Sequence, residues 1–253
     1  MKKFIVFAGI QLLMGVFVLS GCTNPYYSSR KLVYTDHFII QLRDEAFSES
    51  GEKGYAAMVD LTELGKEQEI LVLPPYVEGY PVKQFGTQIG IRYTYLNSQN
   101  LRKIYLPYTL KAITDKPFRA TPNLEQIVFL SINKVKNSGS DFGVANSVVM
   151  LKEHIMERGF TQESFEEYVI GKLGRYRLPN IFFYYNHEES PNSGYYWFDY
   201  IIDDNIYIIP EDPQREGYTF EGWHIDPECE NEWDGAMPQE DAEVKLYAKW
   251  EES

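Results

Sequence analysis

In this 253-residue chain, the neighbouring residues indicate a specific chemical role most clearly for Cys22. Its thiol follows two small residues at the end of the apolar stretch 4–19, and Lys2 and Lys3 stand before that stretch. A positive start, an apolar segment and a small-residue exit are the parts of an N-terminal export signal. The stretch is shorter than the roughly 20 residues that span a membrane as a helix. The pattern therefore indicates a thiol at the cleavage point of an exported chain.

The run Leu19-Ser20-Gly21-Cys22 resembles the lipobox of bacterial lipoproteins, in which the cysteine is lipidated and becomes the first mature residue. The resemblance implies a signal peptide over residues 1–21, a diacylglycerol on the sulfur of Cys22 and a tether over residues 22–31. It also implies that the rest of the chain is extracytoplasmic, anchored to the bacterial cell membrane at the cell surface. The alternative is an uncleaved anchor helix followed by a cysteine of no special role.

The other residues that could bind metals or perform catalysis are scattered. Cys229 is the second of only two cysteines, so the sequence predicts no disulfide framework. The segment 224–229 collects a histidine, two acids and Cys229, but a polar loop after Trp223 explains it equally well. His154 and Glu157 could form a catalytic pair, although no nucleophile lies near them in sequence. We therefore expect no metal, no cofactor and no catalytic residue.

The charge of the chain restricts its partners. It carries 24 Lys and Arg against 37 Asp and Glu, a formal net charge of −13 at pH 7. Such a chain repels phosphate backbones, which argues against a nucleic-acid partner. It also repels anionic lipid headgroups, so a lipid on Cys22 would have to provide the membrane attachment.

The middle of the chain contains an internal repeat. Three apolar positions recur with one constant step, because Leu101, Ile104 and Leu106 correspond to Leu124, Ile127 and Phe129. The pattern L-x-x-L-x-L with a period of roughly 20 to 29 residues is typical of leucine-rich repeats. The run 70–74 matches 103–107 with a longer step, which an insertion over residues 86–97 explains. Between the repeats, Leu110, Ile113 and Phe118 are expected to face the core.

Two runs resemble the BspA-like leucine-rich repeat of bacterial surface proteins: Leu73-Pro74-Pro75-Tyr76-Val77-Glu78-Gly79-Tyr80-Pro81-Val82 and Leu106-Pro107-Tyr108-Thr109-Leu110-Lys111-Ala112-Ile113. The resemblance covers about residues 55–135. Three units are near the minimum for a stacked core, so the flanking segments must cap it. We expect residues 32–42 to form an N-terminal cap strand. Residues 144–173 are expected to form a helical C-terminal cap, with Asn146 or Ser147 and later Thr161 as N-caps and His154 on the solvated face.

From residue 180 the pattern changes to short aromatic strands and turns. The run Arg215-Glu216-Gly217-Tyr218-Thr219-Phe220-Glu221-Gly222-Trp223, with Cys229, Trp233 and the run 246–250, resembles the internalin-type B repeat, a small β-grasp-like module of bacterial surface proteins. The resemblance covers about residues 180–253. Its aromatic residues are expected to form a core too small to be built from aliphatic side chains. The alternative is that exposed Trp and Tyr rings stack on sugar rings.

Together these patterns predict a mostly β fold with a helical segment (α+β). A short leucine-rich-repeat solenoid over residues 32–179 is followed by the β-grasp-like module over residues 180–253. Side chains between the core positions of a strand point away from the core. This assigns the candidate binding residues to the sheet face of the repeats: Val72, Lys103, Tyr105, Gln126 and Val128. The column Val72, Tyr105, Val128 is partly apolar, and an exposed apolar stripe can mark an interface.

The sequence therefore predicts a non-catalytic, lipid-anchored extracytoplasmic protein that binds or adheres through its repeats to an unidentified protein or glycan. A structural scaffold at the membrane–cell wall zone is the alternative, because the short segment 23–31 reaches only about 30 Å when extended. A glycan-active enzyme is the least favoured hypothesis, although two catalytic carboxylates could be hidden among 37 acids.

Overall fold

The computed structural model describes residues 31–47, 53–86, 88–89, 92–93, 95–114, 116–136, 147–156, 159, 161–164, 176–201, 206–237 and 242–253. The predicted signal segment 1–21, Cys22 and the tether up to residue 30 lie outside the described residues. None of the helices in these ranges has the length and apolar composition that a membrane-spanning helix needs.

Most of the regular structure in the described ranges is β-sheet, which confirms the mostly β prediction. In chain order the strands are β1 (Leu32–Tyr34), β2 (Phe38–Ala46), β3 (Lys53–Leu61), β4 (Ile70–Val72), β5 (Tyr76–Val77), β6 (Tyr80–Phe85), β7 (Gln88–Ile89), β8 (Arg92–Tyr93), β9 (Lys103–Leu106), β10 (Ala112–Ile113), β11 (Gln126–Phe129), β12 (Ser147–Val149), β13 (Tyr176–Arg177), β14 (Ile181–Tyr184), β15 (Tyr195–Asp199), β16 (Tyr218–His224) and β17 (Val244–Glu252). The short helices are α1 (Glu63–Lys66), α2 (Lys152–Met156) and α3 (Gln162–Ser164), and a 3₁₀ turn covers Asn192–Gly194.

The repeat forms a parallel sheet in the order β13-β12-β11-β9-β4. Ile104 of β9 lies opposite Ile127 of β11 on one side and opposite Leu71 of β4 on the other. These are the pairs that the repeat in the sequence predicts. The sheet continues through β12 and β13, which lie beyond the recognisable repeats. The pairing of the repeat segments is confirmed, and the stack is longer than the pattern indicates.

A second sheet, in the order β1-β2-β3-β6-β10, contains the N-terminal strands. Residues 32–42, predicted as a single cap strand, form an antiparallel hairpin of β1 and β2. The chain turns at Thr35, whose Oγ1 accepts a hydrogen bond from the amide of Phe38 at 2.9 Å. The predicted insertion over residues 86–97 contains the small hairpin of β7 and β8.

The apolar repeat positions form one core with residues of both sheets. Each of the following predicted core residues is at most 2 % exposed: Leu101, Ile104, Leu106, Leu110, Ile113, Phe118, Leu124, Ile127 and Phe129. Burying a side chain of this size stabilises a fold by about 1.5–3 kcal/mol relative to leaving it in water. The core predicted from the repeat pattern is therefore confirmed.

The C-terminal cap begins as a strand and not as the helix predicted from Asn146 or Ser147. Ser147 lies opposite Gln126, and Val148 lies opposite Ile127. The helix α2 begins only at Lys152. The prediction was wrong because the edge of β11 offers unpaired backbone groups, and a β-branched pair of valines suits a strand.

Two details of the cap have different outcomes. His154, expected on the solvated face of the helix, is fully buried, and its Nε2 atom accepts a hydrogen bond from the amide of Val135 at 3.2 Å. Thr161 does cap α3, because its Oγ1 accepts from the amide of Ser164 at 3.1 Å. Glu157, the other half of the possible pair with His154, lies outside the described residues.

Residues 181–252 contain a mixed four-stranded sheet in the order β15-β14-β17-β16. The central strands β14 and β17 run parallel, with Phe183 opposite Leu246, and both outer strands are antiparallel to them. Gly222 lies inside β16 where the pairing is interrupted between Phe220 and Trp223. Its φ of 115° is a conformation that favours glycine.

The aromatic residues of this module mostly form the core that the sequence predicts. The Phe183 ring centroid lies 4.9 Å from that of Trp223 and 6.2 Å from that of Trp233. Trp223 is buried, Phe220, Trp233 and Trp250 are half-buried, and Tyr218 is exposed. Large rings therefore replace aliphatic layers in this small sheet.

Candidate functional site

The predicted binding face is a set of side chains on neighbouring parallel strands. Val72 lies opposite Tyr105, and Tyr105 lies opposite Val128. Lys103 and Gln126 form a second pair, one step of side-chain alternation earlier on the same strands. Tyr105 and Val128 belong to a different hydrophobic cluster from Ile104 and Ile127, as alternation along the strand requires.

This face is not open to solvent. Four of the five candidate residues are at most 5 % exposed, namely Lys103, Tyr105, Gln126 and Val128, whereas Val72 is 37 % exposed. Tyr105 and Val128 share a cluster with residues of the C-terminal sheet, including Trp197 and Phe198. The ring centroids of Tyr105 and Trp197 are only 4.3 Å apart. The expectation of an exposed binding face is wrong for these four residues, because the C-terminal module packs over them.

A buried ion pair lies in this contact. The Nζ atom of Lys103 donates to Oδ2 of Asp199 at 2.6 Å and to the carbonyl oxygen of Ile206 at 3.1 Å. The hydroxyl of Tyr105 donates to the same Oδ2 at 2.7 Å, and Oδ1 accepts from the amide of Tyr200 at 2.8 Å. Both charged groups therefore have a partner of opposite charge and further hydrogen bonds, which buried charges require.

Burial dominates the titration of this group. It lowers the pKa of the Lys103 ammonium, and the negative charge of Asp199 partly offsets this effect. It raises the pKa of the Asp199 carboxyl, and the positive charge of Lys103 partly offsets that effect. Burial also raises the pKa of the Tyr105 hydroxyl well above its ordinary value, so this group remains a donor. The three side chains are at most 1 % exposed. Because no substrate can reach them in this conformation, their arrangement serves the contact between the two parts of the chain.

Amide side chains add further links across the same contact. The Nδ2 atom of Asn192 donates to the carbonyl oxygen of Leu130 at 2.7 Å, and its Oδ1 atom accepts from the amide of Ile132 at 3.2 Å. The Nε2 atom of Gln126 donates to the carbonyl oxygen of Tyr200 at 3.4 Å. The repeat sheet and the C-terminal sheet thus share backbone-directed hydrogen bonds as well as a core.

Three tyrosines form a row across β15, β14 and β17 of the C-terminal sheet, and we call Tyr195, Tyr184 and Tyr247 the tyrosine row. The ring centroid of Tyr184 lies 5.0 Å from that of Tyr195 and 5.1 Å from that of Tyr247, and the latter pair is nearly parallel at 14°. All three side chains are half-buried. Burial, followed by the neighbouring Tyr195, raises the pKa of Tyr184, so its hydroxyl stays protonated at neutral pH.

A shallow cleft, widely open to solvent and with a volume of about 380 Å³, lies between the tyrosine row and the loop that joins β14 to β15. It is lined by Tyr184, Asn186, His187, Glu188, Ser190, Gly194 and Tyr247. Burial, and then the charge of Arg215, lowers the pKa of His187, so its ring is neutral at neutral pH. Glu188 is exposed. The cleft therefore combines aromatic walls with hydrogen-bonding groups and a carboxylate.

The segment 224–229 is a turn organised by Asp226. Its carboxylate accepts hydrogen bonds from the amides of Glu230 at 3.0 Å and Asn231 at 2.9 Å, and these bonds lower its pKa. Cys229 is half-buried with its Sγ atom 3.4 Å from Nδ2 of Asn186, and burial raises the pKa of its thiol. Among the described residues, no three His, Cys, Asp or Glu side chains converge as metal ligands would.

The comparison with known proteins concerns the C-terminal sheet. Residues 181–249 match the family described as the Listeria-Bacteroides repeat domain. The match begins at β14 and ends within β17, so it covers the module that carries the tyrosine row. A repeat domain of this type indicates a surface or adhesion-type protein. No curated protein and no solved structure matches the chain.

Sequence reasoning missed Asp199 and the tyrosine row. Asp199 directly follows Tyr195-Tyr196-Trp197-Phe198, and a carboxylate at the end of an aromatic strand was the available signal for a buried acid. Tyr184 and Tyr247 belong to strands that were predicted, but the parallel pairing that makes them neighbours joins segments far apart in the chain. Nothing in the local pattern indicates that pairing.

Proposed function

We propose that the protein is a bacterial surface lipoprotein that binds or adheres to an extracellular protein or glycan and performs no catalysis. The observation that carries the proposal is the match of residues 181–249 to the Listeria-Bacteroides repeat domain. The lipobox-like run that ends at Cys22 supports attachment of the chain to the outer side of the cell membrane through lipid.

The proposal includes a finer description of the two parts. Residues 32–179 are a BspA-like leucine-rich-repeat domain, which is supported by parallel strands that pair in the register of the sequence repeat and by the buried leucine positions. Residues 180–253 are an internalin-type B repeat of the β-grasp-like kind, which is supported by a four-stranded sheet with parallel central strands. Because the C-terminal module covers the sheet face of the repeats, the proposed binding surface lies elsewhere on the molecule.

The first experiment tests exposure by protease treatment of intact cells, compared with cells whose wall has been removed. A surface protein is cleaved on intact cells. Cleavage only after wall removal would contradict the surface role and would favour the scaffold at the membrane–cell wall zone, which the short tether supports.

A second experiment tests the anchor itself. Metabolic labelling with an alkyne-bearing fatty acid is expected to mark the wild-type chain, and Cys22→Ala is expected to lose the label and leave the membrane fraction. Cys229→Ala is the matched control, because it removes the other thiol of the chain and should keep the label. Equal labelling of both variants would contradict lipidation at Cys22.

A further inference from the structure

We propose that the cleft beside the tyrosine row binds an uncharged sugar ring of a glycan. This inference rests on the proposed binding function and specifies its ligand class and its site. Recognition is thus assigned to the C-terminal module, whose cleft is open to solvent, and not to the sheet face of the repeats, which is covered.

The walls of the cleft suit a ring with apolar and polar parts. Tyr184 and Tyr247 present half-buried aromatic surface, against which the C–H groups of a pyranose can pack. The loop side supplies Glu188, whose exposed carboxylate can accept hydrogen bonds from sugar hydroxyls. Apolar walls with a few polar groups are the usual composition of small-ligand sites.

The charges around the cleft select against anionic ligands. Glu188 lines the cleft, and His187 is neutral because burial lowers its pKa. Lys245 acts electrostatically on Tyr247 and Tyr195, but its ammonium group is paired with Glu243 at 2.8 Å. The chain as a whole carries a net charge of −13. Arg215 acts electrostatically on His187, but its guanidinium lies 3.5 Å from the ring centroid of Tyr218 and is not part of the cleft lining. An acidic glycan would therefore meet the Glu188 carboxylate with no cation among the residues that line the cleft.

The row also argues against a quaternary ammonium ligand. Such a cation needs the faces of several rings around it. In the tyrosine row the rings stand side by side on neighbouring strands, with Tyr184 5.0 Å from Tyr195 and 5.1 Å from Tyr247 between ring centroids, and do not surround a common centre. A sugar ring needs only one aromatic surface and hydrogen-bonding groups beside it, and this is what the cleft offers.

The other large aromatic side chains of the module are engaged elsewhere. The indole N–H of Trp250 donates to the carbonyl oxygen of Tyr185 at 2.6 Å, and that of Trp233 donates to the carbonyl oxygen of Ala236 at 3.0 Å. The guanidinium of Arg215 lies 3.5 Å from the ring centroid of Tyr218. Tyr218 lies opposite Glu252, whose side chain is on the other face of β17 from Tyr247. Tyr218 is therefore a matched control on the same module.

The test is titration calorimetry of the full chain in detergent with chitotetraose, cellotetraose and maltotetraose, and with a tetramer of galacturonic acid as the anionic comparison. We expect at least one neutral oligosaccharide to bind and the acidic one not to bind. Tyr247→Ala should weaken that binding about tenfold or more, as loss of an aromatic contact does. Tyr247→Phe should retain most of it, and Tyr218→Ala should leave it unchanged.

A variant in the loop that joins β14 to β15 tests whether weaker binding is caused by loss of the site or by loss of folding. Glu188→Gln changes an exposed side chain, so it should keep the melting temperature and still weaken binding several-fold. Absence of binding to all three neutral oligosaccharides would overturn the ligand class, and equal loss in Tyr247→Ala and Tyr218→Ala would overturn the site. Either result is independent of surface exposure on cells, so it would not by itself contradict the proposed surface role.

Discussion

The ammonium nitrogen of Lys103 in β9 lies 2.6 Å from Oδ2 of Asp199 in β15, although 96 positions separate the two residues. The two groups belong to different sheets, and both are at most 1 % exposed. An ion pair that joins two sheets and is hydrogen-bonded on both sides restricts how the sheets can lie against each other. The sheet face of the repeats, which the sequence predicts as a binding surface, is therefore an internal surface of the molecule.

Removal of the Asp199 charge is expected to destabilise the whole chain. Asp199→Asn leaves the Lys103 ammonium buried without its counter-charge, which costs about 3–5 kcal/mol in comparable pairs. The measurement is the free energy of unfolding of the full chain in urea. Glu63→Gln is the matched control, because the Lys66–Glu63 pair at 2.6 Å is solvent-exposed and contributes about 0–1 kcal/mol.

Replacement of both partners tests whether the pair or the packing matters. In the double variant Lys103→Met/Asp199→Leu neither charge of the pair is left buried without its partner. Its loss of unfolding free energy should therefore be smaller than the sum of the losses in the single variants Lys103→Met and Asp199→Leu. An additive double variant would contradict direct coupling between Lys103 and Asp199.

Tyr105 and Val72 are opposite each other on β9 and β4, but they should respond differently to the same substitution. Tyr105→Glu inserts a carboxylate beside Asp199 in a site with 0 % exposure, so we expect it to lower the melting temperature strongly. Val72→Glu, at 37 % exposure, should change it little. Similar melting temperatures for the two variants would show that the C-terminal module does not cover Tyr105 in solution.

The stability of the chain should fall at alkaline pH because buried tyrosines keep their protons in the folded state. Burial, and then the neighbouring Tyr76, raises the pKa of Tyr185 to about 12, whereas an unfolded tyrosine has a pKa of about 10. The folded state therefore holds this proton more tightly than the unfolded state. The corresponding stability is complete below pH of about 10 and is lost as the pH rises towards about 12.

The measurement is the free energy of unfolding as a function of pH, together with the near-ultraviolet absorbance of phenolate. Tyr185→Phe should reduce the alkaline slope, since one fewer proton is released on unfolding. Tyr34→Phe is the control, because it removes the phenol of an exposed tyrosine and should leave the alkaline slope nearly unchanged. An unaltered slope in Tyr185→Phe would contradict a raised pKa at this position.

The features that were predicted most accurately from the sequence are those that depend on a regular spacing of residues. The pairing of Ile104 with Ile127 follows from the constant step of the repeat, because similar units stack in register. The C-terminal module was recognised over residues 180–253, and the family match covers 181–249. Alternation also identified the side of the sheet on which Tyr105 and Val128 lie.

What lies against a surface was not predictable from the same patterns. Alternation indicates that Tyr105 points away from the first core, but it does not indicate that Trp197 packs against it from a segment much later in the chain. The partly apolar column was a sign of an interface, and the partner proved to be part of the same chain. The prediction of a helix beginning at Ser147 was wrong for a similar reason. Strand pairing with Gln126, a residue distant in sequence, outweighed the local preference of Ser147 for a helix N-cap.

Gly86 and Gly79 provide a test of how tightly the insertion is joined to the repeat core. Both have positive φ values, 76° and 80°, so an alanine at either position carries the backbone strain of about 1–2 kcal/mol. A Cβ atom at Gly86 would lie 2.2 Å from Oγ1 of Thr114, whereas a Cβ atom at Gly79 meets nothing within 4 Å. Gly86→Ala should therefore cost about 1–3 kcal/mol more than Gly79→Ala in urea unfolding.

A second substitution locates the cause of this difference. In Gly86→Ala/Thr114→Ala the hydroxyl and methyl groups nearest to the new Cβ atom are removed, so part of the excess cost should be recovered. The amide of Gly86 donates to the carbonyl oxygen of Met58 at 2.8 Å, and that of Thr114 donates to the carbonyl oxygen of Phe85 at 3.0 Å. These bonds hold the backbone on both sides, so the chain cannot move away from the clash. Equal costs for Gly86→Ala and Gly79→Ala would mean that this region relaxes freely, which would contradict the close packing of Gly86 against Thr114.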